Sequence, residues 1–136
     1  MLECLILGDS IAVGTHMIKH ECALVGKGGI NSWQWNKNYS NQMKSAESVI
    51  ISLGTNDHSG VNTFQELLAM RQKIDGKNVY WIMPPCNDKF CKPHVNEVVE
   101  IIAKNFGDTI IGTKRVQPDA IHPSWAGYKE IVAQIK

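Results

Sequence analysis

Five short apolar runs punctuate the chain: LECLIL, CALVG, SVIISLG, NVYWIM and DTIIGT. In each the apolar residues are continuous rather than alternating, and each run meets Gly or Pro at its end. That pattern predicts short strands buried on both faces. Between the runs the period changes to that of a helix. In HVNEVVEIIAKNF the residues Val95, Val98, Val99, Ile102, Ala103 and Phe106 recur at i, i+3, i+4 and i+7. TFQELLAMRQKI repeats the pattern with Phe64, Leu67, Leu68 and Ile74, and Thr63 to Glu66 matches a capping box. A last helix places Tyr128, Ile131, Val132 and Ile135 on one face.

Strand–helix alternation implies βαβ units, whose right-handed crossovers give a parallel sheet covered by helices on both sides. Five strands with about five helices fit an α/β, three-layer, flavodoxin-like fold with strand order 2-1-3-4-5. With no internal repeat, linker or low-complexity tract, residues 1–136 are expected to form a single domain. In such sheets ligands bind beyond the carboxyl ends of the strands, so function is sought in the loops leaving those ends.

Composition narrows the function classes. The chain is 43% hydrophobic and 20% charged, with a net charge of +1 and interspersed signs. Nothing here suggests an electrostatic surface for nucleic acid or membrane. No apolar run approaches a bilayer-spanning length. Met1 leads straight into an apolar run, without a basic n-region or cleavage site. The expectation is a soluble protein, cytoplasmic by default, with release or association with a virion as the other readings.

That default also bears on the four cysteines. Cys4 and Cys22 lie in or beside apolar runs and read as buried free thiols. Cys86 and Cys91 in PPCNDKFCKP could close a small loop, but free thiols are again the expectation. Their spacing is no zinc motif, and His94 adds only a third ligand type, so no metal and no cofactor are expected.

The polar chemistry sits at the predicted strand ends. Gly8-Asp9-Ser10 follows the first run, and GKGGINS, with Gly26, Gly28, Gly29, Asn31 and Ser32, follows the second. Gly54-Thr55-Asn56-Asp57 follows the third, and PDAIHPSWAGY, with Asp119, His122 and Pro123, precedes the last helix. A serine hydroxyl attacks a carbonyl only when a base takes its proton, and His122 is the candidate base. Its far nitrogen needs an orienting carboxylate, and Asp119 stands three residues earlier in the same loop. At a helix start the Ser10 N–H faces outward with the positive end of the dipole. A glycine N–H from the second loop and the Asn56 amide would complete a three-donor oxyanion hole.

These four blocks resemble, in order, those of the SGNH hydrolases, also called the GDSL esterases and lipases. The resemblance runs from Leu2 to about Tyr128. It implies Ser10 as nucleophile, Asp119 and His122 as acid and base, and Asn56 with the glycine loop as oxyanion donors. It further implies the flavodoxin-like α/β/α fold and hydrolysis without metal. Ile11 replaces the motif's leucine, a conservative apolar change. Gly29 is preferred over the alternative, Gly28, because the family's glycine is often followed after two residues by Ser or Thr, here Ser32.

Each block alone has a plainer reading: Asp9-Ser10 as a helix cap, GTND as a turn, DAIHP as a helix start. Together, in order and at strand ends, they point to a serine esterase. The substrate would be a small-molecule or glycan ester, with short acyl groups such as acetyl favoured by an open, lidless site. A lipase or thioesterase of the same family is the alternative within the enzyme class, and a non-catalytic glycan-binding module on this fold the alternative outside it. A nucleotide binder lacks the G-x-x-x-x-G-K-[ST] pattern. Trp33, His58 and Trp125 are candidate substrate contacts; Trp35 could serve likewise or pack in the core. Asp57 reads as structural, holding its loop by side-chain bonds.

Overall fold

The computed structural model describes all residues, 1–136. Its strands are β1 (Leu2–Gly8), β2 (Ala23–Gly26), β3 (Ala46–Ser52), β4 (Gly76–Ile82) and β5 (Thr109–Ile111). They form one parallel sheet of order β2-β1-β3-β4-β5, as the alternation predicts. The helices are α1 (Ser10–Ile18), α2 (Ser32–Tyr39), α3 (Thr63–Gln72), α4 (Pro93–Phe106) and α5 (Trp125–Ala133).

The continuous apolar runs are explained by two cores, one per sheet face. Successive side chains of a strand point to opposite faces. Leu5, Leu7, Val49, Ile51 and Trp81 therefore enter the core beneath α2, α3 and α4. Cys4, Ile6, Ile50, Tyr80 and Ile82 enter the core beneath α1 and α5. Trp35 is fully buried in the first core and donates its indole N–H to Val25 O at 3.0 Å, which makes it a packing residue.

The predicted helix faces hold at Val95, Val98, Val99, Ile102 and Ala103, and at Leu67, Tyr128 and Ile131. Phe64 and Phe106 instead lie at the surface, and Phe106 carries the Arg71 guanidinium 4.3 Å over its ring. Ile74 and Ile135 fall beyond the ends of α3 and α5. The Thr63–Glu66 capping box does not form. Asn62, one residue earlier, caps α3 by accepting from Gln65 N, while the Thr63 hydroxyl is turned inward to Asp57. An amide oxygen is at least as good a cap as a hydroxyl, and the buried carboxylate claims the hydroxyl.

The cysteines correct the free-thiol expectation. Cys4–Cys22 and Cys86–Cys91 are both disulfides, and no free cysteine remains. Pairing of β1 with β2 in the register Leu5↔Ala23 brings the residues just before them, Cys4 and Cys22, side by side. No spacing rule along the chain reveals that neighbour relation. No helix is long and apolar enough to cross a membrane.

Candidate active site

All four polar blocks leave the carboxyl-end rim of the sheet or precede α5. Gly8 ends β1 with a φ of 140°, and a Cβ there would run into the Ser52 carbonyl at the end of β3. Glycine thus lets two parallel strands close tightly just before the chain turns into α1.

Asp9 and Ser10 then divide the two roles that their sequence left open. Asp9 is the N-cap of α1, its Oδ1 accepting from Ile11 N and from the Ser52 hydroxyl, both at 3.0 Å. Ser10 is the first helical residue, and its Oγ lies 2.9 Å from His122 Nε2. The hydroxyl is therefore free of capping and engaged with the imidazole.

His122 Nδ1 lies 2.7 Å from Asp119 Oδ2, while Asp119 Oδ1 accepts from the N–H groups of Ile121 and His122 at 2.9 and 3.0 Å. The bond with His122, above all, holds the Asp119 carboxyl down at about 2, with the Ile121 N–H next in effect. An ionised carboxylate can only accept, so Nδ1 carries the imidazole proton and Nε2 is left to accept from Ser10. Hydroxyl, imidazole and carboxylate form one relay, and an imidazole so placed can take the hydroxyl proton. Roughly a third of the His122 side chain is exposed, so the site is open.

The glycine loop lies against the Ser10 end of this relay. The N–H groups of Ser10, Gly28 and Gly29 have no acceptor within the protein. The side-chain position of Gly28 would stand 3.6 Å from Ser10 Cβ, so this glycine lies against the serine, while that of Gly29 faces open space at a φ of 81°. Asn56 Nδ2 donates to Ile30 O at 3.0 Å, which binds the β3–α3 loop to the glycine loop. Asp57 is buried and structural: it accepts from Ser32 N at 2.8 Å, Ser32 Oγ at 2.6 Å and Thr63 Oγ1 at 2.8 Å. It ties the starts of α2 and α3 around Asn56.

Trp33 and Trp125 are about half exposed, with Lys37 and Lys129 over their rings. His58 is spent on its own turn, its Nδ1 accepting from Gly60 N. None of the three hydrogen-bonds to the relay. Ser52, whose hydroxyl joins the end of β3 to Asp9, carries no motif in the sequence, because nothing marks a strand-terminal serine.

Asp9 also sets a pH dependence of stability. Burial pushes its carboxyl up to about 6, against the lowering pull of the Ser52 and Ile11 bonds. Tyr128 responds to the same surroundings, its phenol pushed up to about 12 by burial and then by the charges of Asp9 and Asp119. The folded state binds the Asp9 proton more tightly than the unfolded chain does. This group's contribution is therefore complete below the ordinary value of 3.8 and is lost as pH rises through about 6. Asp9→Asn keeps the Oδ1 acceptor and cannot ionise. Its stability relative to the parent should improve by about 2 kcal/mol between about pH 4.5 and about pH 8. Urea denaturation at the two pH values measures this, and parallel curves for the two proteins would refute it.

Among solved structures the fold is similar to that of a GDSL-like lipase from Bacteroides thetaiotaomicron. The TM-score is 0.70 at 19% identity, over 98% of this chain and 85% of that one. A variant of an acetyl xylan esterase from Geobacillus stearothermophilus matches with a TM-score of 0.64 at 15% identity, over 96% of this chain and 91% of the other. The C-terminal catalytic domain of a peptidoglycan O-acetyltransferase from Streptococcus pneumoniae, bearing a methylsulfonyl adduct, matches at 0.62 and 18% identity, over 98% and 90%. At these identities the likeness establishes a shared fold. No family model matches the chain, and no curated protein matches its sequence.

Proposed function

We propose that the chain is a serine esterase that cleaves short-acyl carboxylic esters through an acyl-enzyme. The observation that carries this reading is the relay from Ser10 Oγ through His122 to Asp119, at 2.9 and 2.7 Å. His122 Nε2 takes the hydroxyl proton as Ser10 attacks the carbonyl, and Asp119 balances the imidazolium that forms. The oxyanion meets the Ser10 N–H, the free hydrogen of the Asn56 amide and a glycine N–H. The approach of Gly28 to Ser10 favours Gly28 as that glycine. The imidazolium then protonates the departing alkoxide, and water, activated by the same base, releases the acid.

Short acyl groups are favoured because no long apolar channel opens at the site. The apolar crevice that Ile11, Ile121 and Pro123 help to line holds only about 10 Å³. A carbohydrate O-acetyl ester is the favoured target, supported by the fold shared with the acetyl xylan esterase. The two disulfides favour work in oxidising surroundings. A non-catalytic glycan-binding module would leave the serine–imidazole–carboxylate alignment without a purpose.

Turnover of p-nitrophenyl acetate, butyrate and octanoate tests the reading, with acetate expected to be fastest. Phenylmethylsulfonyl fluoride should add one sulfonyl group, at Ser10. Absence of both turnover and adduct would sink the proposal. The pH profile makes a further prediction. It is read on Asp9→Asn, because Asp9, raised to about 6 directly before Ser10, would otherwise add its own proton to the acid limb. In that variant no acid limb of kcat/KM should follow from Asp119, whose carboxyl stays ionised down to about 2. A limb that steepens to second order above about pH 4 would contradict that assignment.

A further inference from the structure

Between β4 and α4 the chain closes a small ring through Cys86–Cys91, five positions apart. The ring is stiffened from within. Asn87 N donates to Phe90 O at 2.8 Å, and Asn87 Oδ1 accepts from the N–H groups of Lys89 and Phe90, both at 3.0 Å. Two side chains then reach out of it, one to each half of the site. Asn87 Nδ2 donates to Ala120 O at 2.9 Å. Ala120 lies between Asp119 and His122 and is the one non-glycine residue with a positive φ, 62°. Lys92, adjoining Cys91, donates from Nζ to Thr55 O at 2.9 Å and Asp57 O at 2.7 Å, the carbonyls on either side of Asn56.

Lys92 forms no ion pair with a carboxylate and does not cap α4 through its side chain. A half-buried ammonium spent on two carbonyls is costly unless holding them matters. What it holds is the backbone that aims the Asn56 amide. What Asn87 holds is the strained turn that aims His122 and Asp119.

We propose that the disulfide-closed ring is a strut between the two halves of the site, with Lys92 and Asn87 as positioning residues. The inference rests on the esterase reading. Without the bridge, the backbone carrying Asn87 and that carrying Lys92 would wander separately, and each loop would lose its reference to the other. Cys86 is exposed whereas Cys4 and Cys22 are 5% and 4% exposed, so a reductant reaches the strut first. Activity is thereby tied to the redox state of this one bridge.

The test compares the parent with Lys92→Met, Lys92→Arg, the double variant Cys86→Ser/Cys91→Ser and the control Cys4→Ser/Cys22→Ser. With p-nitrophenyl acetate, Lys92→Met and the Cys86/Cys91 variant should lose about tenfold or more in kcat, with KM within about twofold. Lys92→Arg, which keeps two donors, should recover most of that loss. The Cys4/Cys22 control should melt earlier yet retain its kcat. Amide hydrogen exchange should speed up at residues 55–57 and 119–122 in the Cys86/Cys91 variant. Lys92→Met and the Cys86/Cys91 variant keeping the parental kcat, or Lys92→Arg losing as much as Lys92→Met, would overturn the strut and leave the esterase reading standing. A parent without turnover would remove the esterase reading. Exchange then decides the strut alone, and unchanged protection at both loops would overturn it.

Discussion

Ser10→Ala is expected to lower kcat for p-nitrophenyl acetate by about 10⁴-fold or more while the protein stays folded. The size follows from the role proposed for the hydroxyl: as the nucleophile it would carry the acyl group, and its removal closes the acyl-enzyme route. Residual rate would come only from the oxyanion donors polarising the ester toward water. The fold should hardly notice. Asp9, not Ser10, caps α1, so the substitution removes one hydrogen bond, to His122, at a partly exposed position. That is worth about 1 kcal/mol or less. Kinetics and a thermal melt on the same preparation separate the two effects. A folded variant that keeps a tenth of the parental rate would exclude Ser10 as nucleophile.

Asp108→Ala is expected to cost about 3–5 kcal/mol of stability, far more than a surface substitution would. Asp108 follows the left-handed Gly107 that ends α4, and its side chain is 4% exposed. It receives Arg71 through two bonds, Nε at 2.7 Å and Nη2 at 2.9 Å, and the fully buried Trp81 indole N–H at 2.9 Å. Removing it leaves a guanidinium that is 11% exposed and an indole donor without their acceptor. α3, β4 and the entry to β5 lose their common tie. Urea unfolding reads the loss as a shift in midpoint at constant m-value. A loss below about 1 kcal/mol would mean that the network relaxes around the gap.

The site was legible to the extent that it was written in local signals. Ser10, Asn56, Asp119 and His122 each stand in a short block whose position at a strand end or before α5 follows from the apolar runs. Residues that serve through distant partners carried no such mark. Lys92 precedes Pro93 in an unremarkable loop, and its two acceptors lie 37 and 35 positions earlier. Asn87 reaches Ala120 across 33 positions. Trp33 and Trp35 differ by two residues, yet one is half exposed and the other has no exposure, because only the packing of α2 chooses the inward face. The Thr63 cap failed although its rival lay close by: local pattern offered a hydroxyl, and the buried Asp57 carboxylate, six positions earlier in the same loop and tied inward by Ser32, took it.

The sequence by itself determined the strand–helix alternation, the two-faced burial of the strands and the four polar blocks. Those depend on hydrophobic period and on turn chemistry, which act between near neighbours. Tertiary structure alone decided that Asp9 caps while Ser10 faces His122, which glycine lies against the serine, and that Cys4 meets Cys22 and Cys86 meets Cys91. These are distances between groups on separate elements. They emerge only once strand register and helix packing have placed those elements to within an ångström.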